Sequence, residues 1–197
     1  MRFFRLFVFF ILSYWAIHAT DAAAQRVAKY GADFLAGGVG ARALAMGGAY
    51  ISVAEDVYAG YWNPAGLSSV SQMEASYMHA ERFAGVVSFD YAGFAMPFSE
   101  RSVFGITLIR SGVNDIKNTL DAWDSERNQP KSNPEDFITT FSAADYAIMF
   151  SYGKRLNERW SVGATSKIIH RSIGDFATAW GYSMDFGVQL EAETWRA

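Results

Sequence analysis

Any chemistry in this chain would have to be built from three histidines, 20 carboxylates and hydroxyl groups, because cysteine is absent. His18, His79 and His170 are scattered, and none belongs to a spacing that signals a nucleophile with its base or a metal-binding pair. The lack of cysteine also removes disulfide frameworks, thiolate zinc sites and thiol catalysis. One glycine pattern, Gly38-Val39-Gly40-Ala41-Arg42-Ala43, fits the loose G-x-G-x-x-A form of the dinucleotide fingerprint. That pattern works only after a buried strand and at the mouth of a helix in a βαβ unit. Here it lies in a Gly/Ala-rich stretch that leads into alternating strands. No enzyme activity, cofactor or metal is expected. With 17 Lys+Arg against 20 Asp+Glu there is no concentrated basic surface, and nucleic acid is not an expected partner.

The elements that would position side chains are strands. Charged residues make up only 19% of the chain and aromatics 16%, a balance that suits a surface facing lipid. Mean hydropathy is close to zero, which speaks against a bundle of membrane helices. Six segments alternate with period 2, near 73–80, 86–97, 103–110, 144–153, 160–171 and 180–191. The clearest puts Ala144, Tyr146, Ile148, Phe150 and Tyr152 on one face, with Asp145, Ala147, Met149, Ser151 and Gly153 on the other. The strands run to roughly 9–12 residues, the length of a tilted bilayer crossing rather than a soluble sandwich strand. Phe98, Tyr152, Trp160 and Trp180 sit near strand ends, where an interfacial girdle would lie. The small or polar face mixes Gly and Ser with charges. Asp90, Lys167, Arg171 and Asp185 are the candidate lumen-facing residues, and Phe94, Met96 and Met149 are expected to pack against the N-terminal segment, with an apolar lumen wall as the alternative.

The predicted fold is therefore all-β, a transmembrane antiparallel β-barrel with a small N-terminal hatch of short helical or irregular structure. Residues 1–24 read as a signal peptide, from Arg2 and Arg5 through an apolar core to Ala22-Ala23-Ala24. Residues 25–70 form the hatch and 71–197 the barrel part. Short connections at 98–102 and 154–159 alternate with a long polar one at 111–142, as short periplasmic turns alternate with longer outer loops. Six strands are fewer than the roughly eight at which closed bacterial barrels begin. The chain is accordingly expected to be an N-terminal fragment of a longer barrel.

The hatch carries the most specific sequence. The stretch GVGARALAMGGAYISVAEDVYAGYWNPAGL resembles the N-terminal signature of PorV/PorQ-type proteins, a branch of the FadL-like outer-membrane barrels. Asn63-Pro64-Ala65 is similar to the NPA triplet of the FadL hatch, and FSYGKRLNERWSVGATSKII with AWGYSMDFGVQL resembles the family's paired strands. The resemblance implies a barrel of about 14 strands, of which this chain holds six. It marks Gly40, Arg42, Gly47, Gly48, Trp62, Asn63, Pro64 and Ala65 as the hatch motif. From the residues themselves, Asn63-Pro64 is a turn former leading into the first strand. Arg42, the one charge in its stretch, is expected to seek Glu55 or Asp56.

The resemblance also implies a role in the type IX secretion system at the outer membrane. There the protein would bind or shuttle secreted cargo with C-terminal signal domains and meet a surface attachment complex. Residues 111–142 would be the main docking surface. The alternative is a FadL-type transporter of hydrophobic small molecules. A purely structural barrel is the third class. In each case outer-membrane lipid is a partner.

Overall fold

The computed structural model describes residues 31–192, of which Ala32 onward belong to one compact unit. The signal-peptide assignment lies outside the described residues. So do the first residues of the predicted hatch and the last five of the chain.

Six long strands form one antiparallel sheet: β1 (Glu74–Arg82), β2 (Val87–Ser99), β3 (Ser102–Asn118), β6 (Thr139–Arg155), β7 (Trp160–Ile173) and β8 (Ala177–Leu190), in that spatial order. Two small strands, β4 (Trp123–Asp124) and β5 (Gln129–Pro130), pair with each other between β3 and β6. Every neighbour in the sheet is the next long strand in sequence, so each connection is a hairpin. The sheet is open, with β1 and β8 at its edges. Among the described residues no helix is long and apolar enough to cross a membrane.

Positive-φ residues mark two of the hairpin turns. The β1–β2 turn puts Phe83, Ala84 and Gly85 all at positive φ, a conformation that is strained at the first two. In the β7–β8 turn, Gly174 takes φ 47°, and a Cβ there would meet the Phe141 side chain. The expected long loop at 111–142 is shorter than its polarity suggests. Strands β3 and β6 continue through it to Asn118 and from Thr139, leaving 119–138 as the connection. The continuation is reshaped by a register shift between Val113 and Ile116, where Asp115 takes φ 56°. Polar alternation misleads here because this hairpin extends past its neighbours into solvent, so its faces need no apolar residues.

The N-terminal segment lies on one face of the sheet. It contains a 3-10 turn at Asp33–Gly37, helix α1 (Ala41–Ala45), helix α2 (Ala59–Trp62) and a second 3-10 turn at Pro64–Ser69. Helix α1 ends in a Schellman motif: Gly48 N–H donates to Ala43 O and Gly47 N–H to Leu44 O, with Gly47 at φ 64°. The core is the contact between this segment and the sheet. Tyr50, Ala54, Ala59 and Leu67 pack with Ala95 and Val103, and Val39 packs with Phe89, Tyr91, Ile109 and Met149.

The other face of the sheet is open and regular. Strand register sets His79, Asp90, Arg110, Tyr146, His170 and Trp180 in one row from β1 to β8. The next two rows are Tyr77, Ala92, Leu108, Ile148, Ile168, Tyr182 and Ala75, Phe94, Ile106, Phe150, Ser166, Met184. After them comes Met96, Phe104, Tyr152, Ala164 and Phe186. On the far side of the His79 row, residues are small or polar: Glu81, Ser88, Gly112, Ala144, Ser172 and Thr178. An apolar band thus separates a mixed polar–aromatic row from the opposite strand ends.

Candidate functional site

The Asn63-Pro64-Ala65 turn docks on a strip of glycines. Gly153 of β6 pairs with Gly163 of β7, which pairs with Gly187 of β8. A Cβ on Gly163 would stand 2.5 Å from Ala65 N, and one on Gly153 would stand 2.6 Å from Pro64 O. At Gly187 it would collide with Asn63 Oδ1. Only a backbone without side chains lets Asn63-Pro64-Ala65 sit this low on the sheet.

Asn63 ties that contact together. It is 5% exposed, its Oδ1 accepts from Ala65 N–H at 3.2 Å, and its amide donates to Ile51 O at 3.2 Å and to Val188 O of β8 at 3.3 Å. It is the N-cap of the second 3-10 turn, with Pro64 at the first position, where a missing N–H costs nothing. One row above the glycines, Ser151 and Thr165 both donate to Gly60 O, at 3.2 and 3.0 Å. Gln189 donates to Ser52 O at 3.0 Å and Ser68 to Ser161 at 2.9 Å. On the β1 side, Glu74 accepts from Val57 N–H at 2.9 Å, and Tyr58 bonds Ser76. The segment is hydrogen-bonded to strands at both edges of the sheet. Among the described residues no buried side-chain polar atom lacks a partner.

The remaining motif residues shape the segment itself. Trp62 donates from its indole to Val39 O at 2.9 Å, and its ring meets Tyr50 and Tyr61 edge-on. Gly40 is the N-cap of α1 at φ 86°, where a Cβ would press on the Tyr58 ring, and Gly48 lies against the Trp62 indole. Arg42 is exposed, with its guanidinium 5.7 Å from the centre of the Tyr50 ring. Asp56, one of its expected partners, accepts from Tyr50 OH at 2.8 Å and from Tyr58 N–H at 3.0 Å. Burial first, and then the Asp56 hydrogen bond, push the Tyr50 hydroxyl up to about 12. Burial likewise raises the Tyr61 hydroxyl, which donates to Leu35 O and accepts from Gly38 N–H.

The nucleotide-type glycine pattern has no nucleotide-type setting. A 3-10 turn precedes it and a five-residue helix follows.

Comparison with protein-family models, with curated proteins and with solved structures finds no match.

Three of the four candidate lumen residues stand on the face the N-terminal segment covers, and each has a partner there. Lys167 Nζ lies 2.5 Å from Asp185 Oδ2. Arg171 holds Asp145 through two bonds, at 2.5 and 2.8 Å. Their charges are spent on each other, so they line the face without offering an unpaired charge. Asp90 is different: it stands on the open face, a correction to its assignment. So do Phe94 and Met96, whereas Met149 is fully buried under the N-terminal segment. The cause is local. In β2 both faces carry aromatics, and the dry contact with Val39 claims Phe89 and Tyr91. The parity rule that puts apolar residues outward then fails for this strand.

Asp90 anchors a network missed from sequence. Tyr77 OH donates to its Oδ1 at 3.0 Å, His79 Nδ1 lies 2.8 Å from the same oxygen, and Arg110 donates to Oδ2 at 3.5 Å. The glycine strip and the hydroxyl pair at Ser151 and Thr165 were also missed as a docking surface. The register that sets Gly153 opposite Gly163 is centred on Glu158, one position off a symmetric fold about the 156–159 connection, and strand alternation alone does not give it. Among the described residues no group of three or more His, Asp or Glu converges.

Proposed function

We propose that this chain is the hatch-bearing part of an outer-membrane β-barrel of the PorV/PorQ type, acting in type IX secretion by binding secreted cargo at the cell surface. The observation that carries the membrane part is the pairing of two unlike faces. One face holds an NPA hatch on a glycine strip. The other is an apolar band several rows deep, bounded by an aromatic and polar row, as expected where lipid meets headgroups.

Two further features favour a wall that continues beyond β1 and β8. Both edges present unpaired backbone groups, which cost several kcal/mol each in hydrocarbon. The N-terminal segment also leaves Leu44, Met46 and Ile51 exposed. Further strands, from this chain or another, would pair the edges and cover those side chains.

The cargo part rests on the sequence resemblance. The β3–β6 hairpin, which runs past its neighbours to a tip at 119–138, is the segment best placed to meet a partner outside the membrane. Its tip exposes Leu120, Trp123 and Phe137. The transport reading is weaker, because Phe94 and Met96 lie on the open face instead of a lumen wall.

The test is envelope fractionation followed by photo-crosslinking from position 123 at the tip. The expected result is a heat-modifiable species in the outer-membrane fraction, crosslinked to exported proteins that carry C-terminal signal domains. A soluble chain would end the membrane reading. A membrane-embedded chain that crosslinks no such protein would end the cargo reading.

A further inference from the structure

The open face contains a groove of about 380 Å³ whose floor is Ala92, Leu108, Ile148 and Ile168. Its lining is almost wholly apolar, and charge stands only beside it. On one side stands the Asp90–Arg110 pair. On the other, His170 is stacked between Tyr146 and Trp180, with ring centres 6.4 and 4.2 Å apart.

We propose that this groove binds a membrane phospholipid of net negative charge, with its phosphate at Arg110 and one acyl chain along the apolar floor. The proposal rests on the reading that the open face meets lipid. Three observations point to this occupant.

The first concerns charge. Asp90 is already held by Tyr77 and His79 through Oδ1, at 3.0 and 2.8 Å. Arg110 reaches only its other oxygen, through one nitrogen, at 3.5 Å. A guanidinium has five N–H donors in a planar fork that matches phosphate, so most of the binding capacity of Arg110 remains.

The second concerns layering. The Arg110 row lies between the small and polar row of Ser88, Gly112 and Ser172 and the apolar rows below. A molecule with an anionic head and an apolar tail fits that order, and a purely apolar ligand would leave Arg110 unused.

The third concerns shape. The Tyr146–His170–Trp180 stack walls the groove at the level of the cation. Aromatic rings are favoured at that depth, where one end is apolar and the other wet.

Trp180, 73% exposed, supplies the readout. The full chain is reconstituted into vesicles of brominated-chain phosphatidylglycerol or brominated-chain phosphatidylcholine. Quenching assigned to Trp180 is taken as the difference from Trp180→Phe. The expected result is a preference for phosphatidylglycerol of about fivefold to tenfold at Trp180, as one charge-assisted contact would supply. Arg110→Gln should abolish the preference and Arg110→Lys should keep part of it. Lys154→Gln, near the opposite strand ends, should leave it intact. Equal quenching by the two lipids, or a preference that survives Arg110→Gln, overturns the lipid site while leaving the membrane reading in place. If Arg110→Gln does not insert, Ala92→Phe, which fills the floor, decides the matter: a lost preference supports the site and a retained one overturns it. If neither lipid quenches Trp180 in a native chain that floats with the vesicles and resists carbonate extraction, the open face does not meet lipid, and the site falls with that reading.

Discussion

Asn63 shows how one side chain can hold two elements in place. Its amide spans the gap between the N-terminal segment and β8, and its carbonyl caps the turn that follows. Replacing it with alanine removes these bonds and leaves Val188 O and Ile51 O to find other partners. We expect Asn63→Ala to destabilise the docked segment by about 1–3 kcal/mol, the usual cost of stranding buried polar groups. Denaturant titration with protease cleavage of residues 32–70 as the readout would measure this. No change in cleavage midpoint would mean that water replaces the amide at no cost. Tyr50 makes a pH prediction. Its hydroxyl titrates near 12 in the folded chain against 10 when free, so between those values the unfolded state has lost the proton and the folded state has kept it. The stabilisation is fully present below pH 10 and is lost as pH rises to about 12. The stability of the native chain relative to Tyr50→Phe should therefore fall across that window. A flat difference would show that folding does not raise the Tyr50 hydroxyl.

At the scale of elements, the strip formed by Gly153, Gly163 and Gly187 decides how closely the N-terminal segment approaches the sheet. The sequence placed these glycines on the small-residue face, but not in a line, because alternation along one strand says nothing of register between strands. A Cβ at Gly163 would meet main-chain atoms of Pro64 and Ala65, which cannot swing aside as a side-chain tip can. Gly163→Ala should lift the NPA turn at a cost of about 1–3 kcal/mol, in line with overpacked cores. Gly181→Ala, whose Cβ would find only Ile169 at 3.6 Å, is the matched control and should be nearly silent. Thermal unfolding of the two variants side by side makes the comparison, and equal melting would discount the strip. The same limit of single-strand reasoning explains Asp90. Its strand is aromatic on both faces, and only the partner segment decides which face is dry.

The whole molecule has a covered face, an open face and two unpaired edges. Its N-terminal segment is packed on one side only, and Ile51, 58% exposed, marks the other side. Because the chain lacks cysteine, Ile51→Cys gives a single labelling site. In the native envelope it should react with a maleimide at least tenfold more slowly than a site at the hairpin tip such as Leu120→Cys, roughly the factor that about 1.4 kcal/mol of protection gives. Equal rates would mean that nothing covers that side, and the proposed continuing wall would be lost.

The sequence by itself determined that the chain is built on long antiparallel strands, roughly where the 98–102 and 154–159 turns fall, and that a Gly-rich segment with an Asn-Pro turn precedes them. These are local properties: period-2 alternation follows from strand geometry, and turn residues act through their own φ and ψ. It also placed Lys167, Arg171 and Asp185 on one face, since within β7 and β8 the bulky and small residues separate cleanly. Tertiary structure alone decided the register that lines up the glycines, the side of β2 that Asp90 occupies, and the charge partners of Arg171 and Lys167. Those outcomes depend on contacts between residues far apart in the chain, where burial against a second surface outweighs the preference written in any one strand.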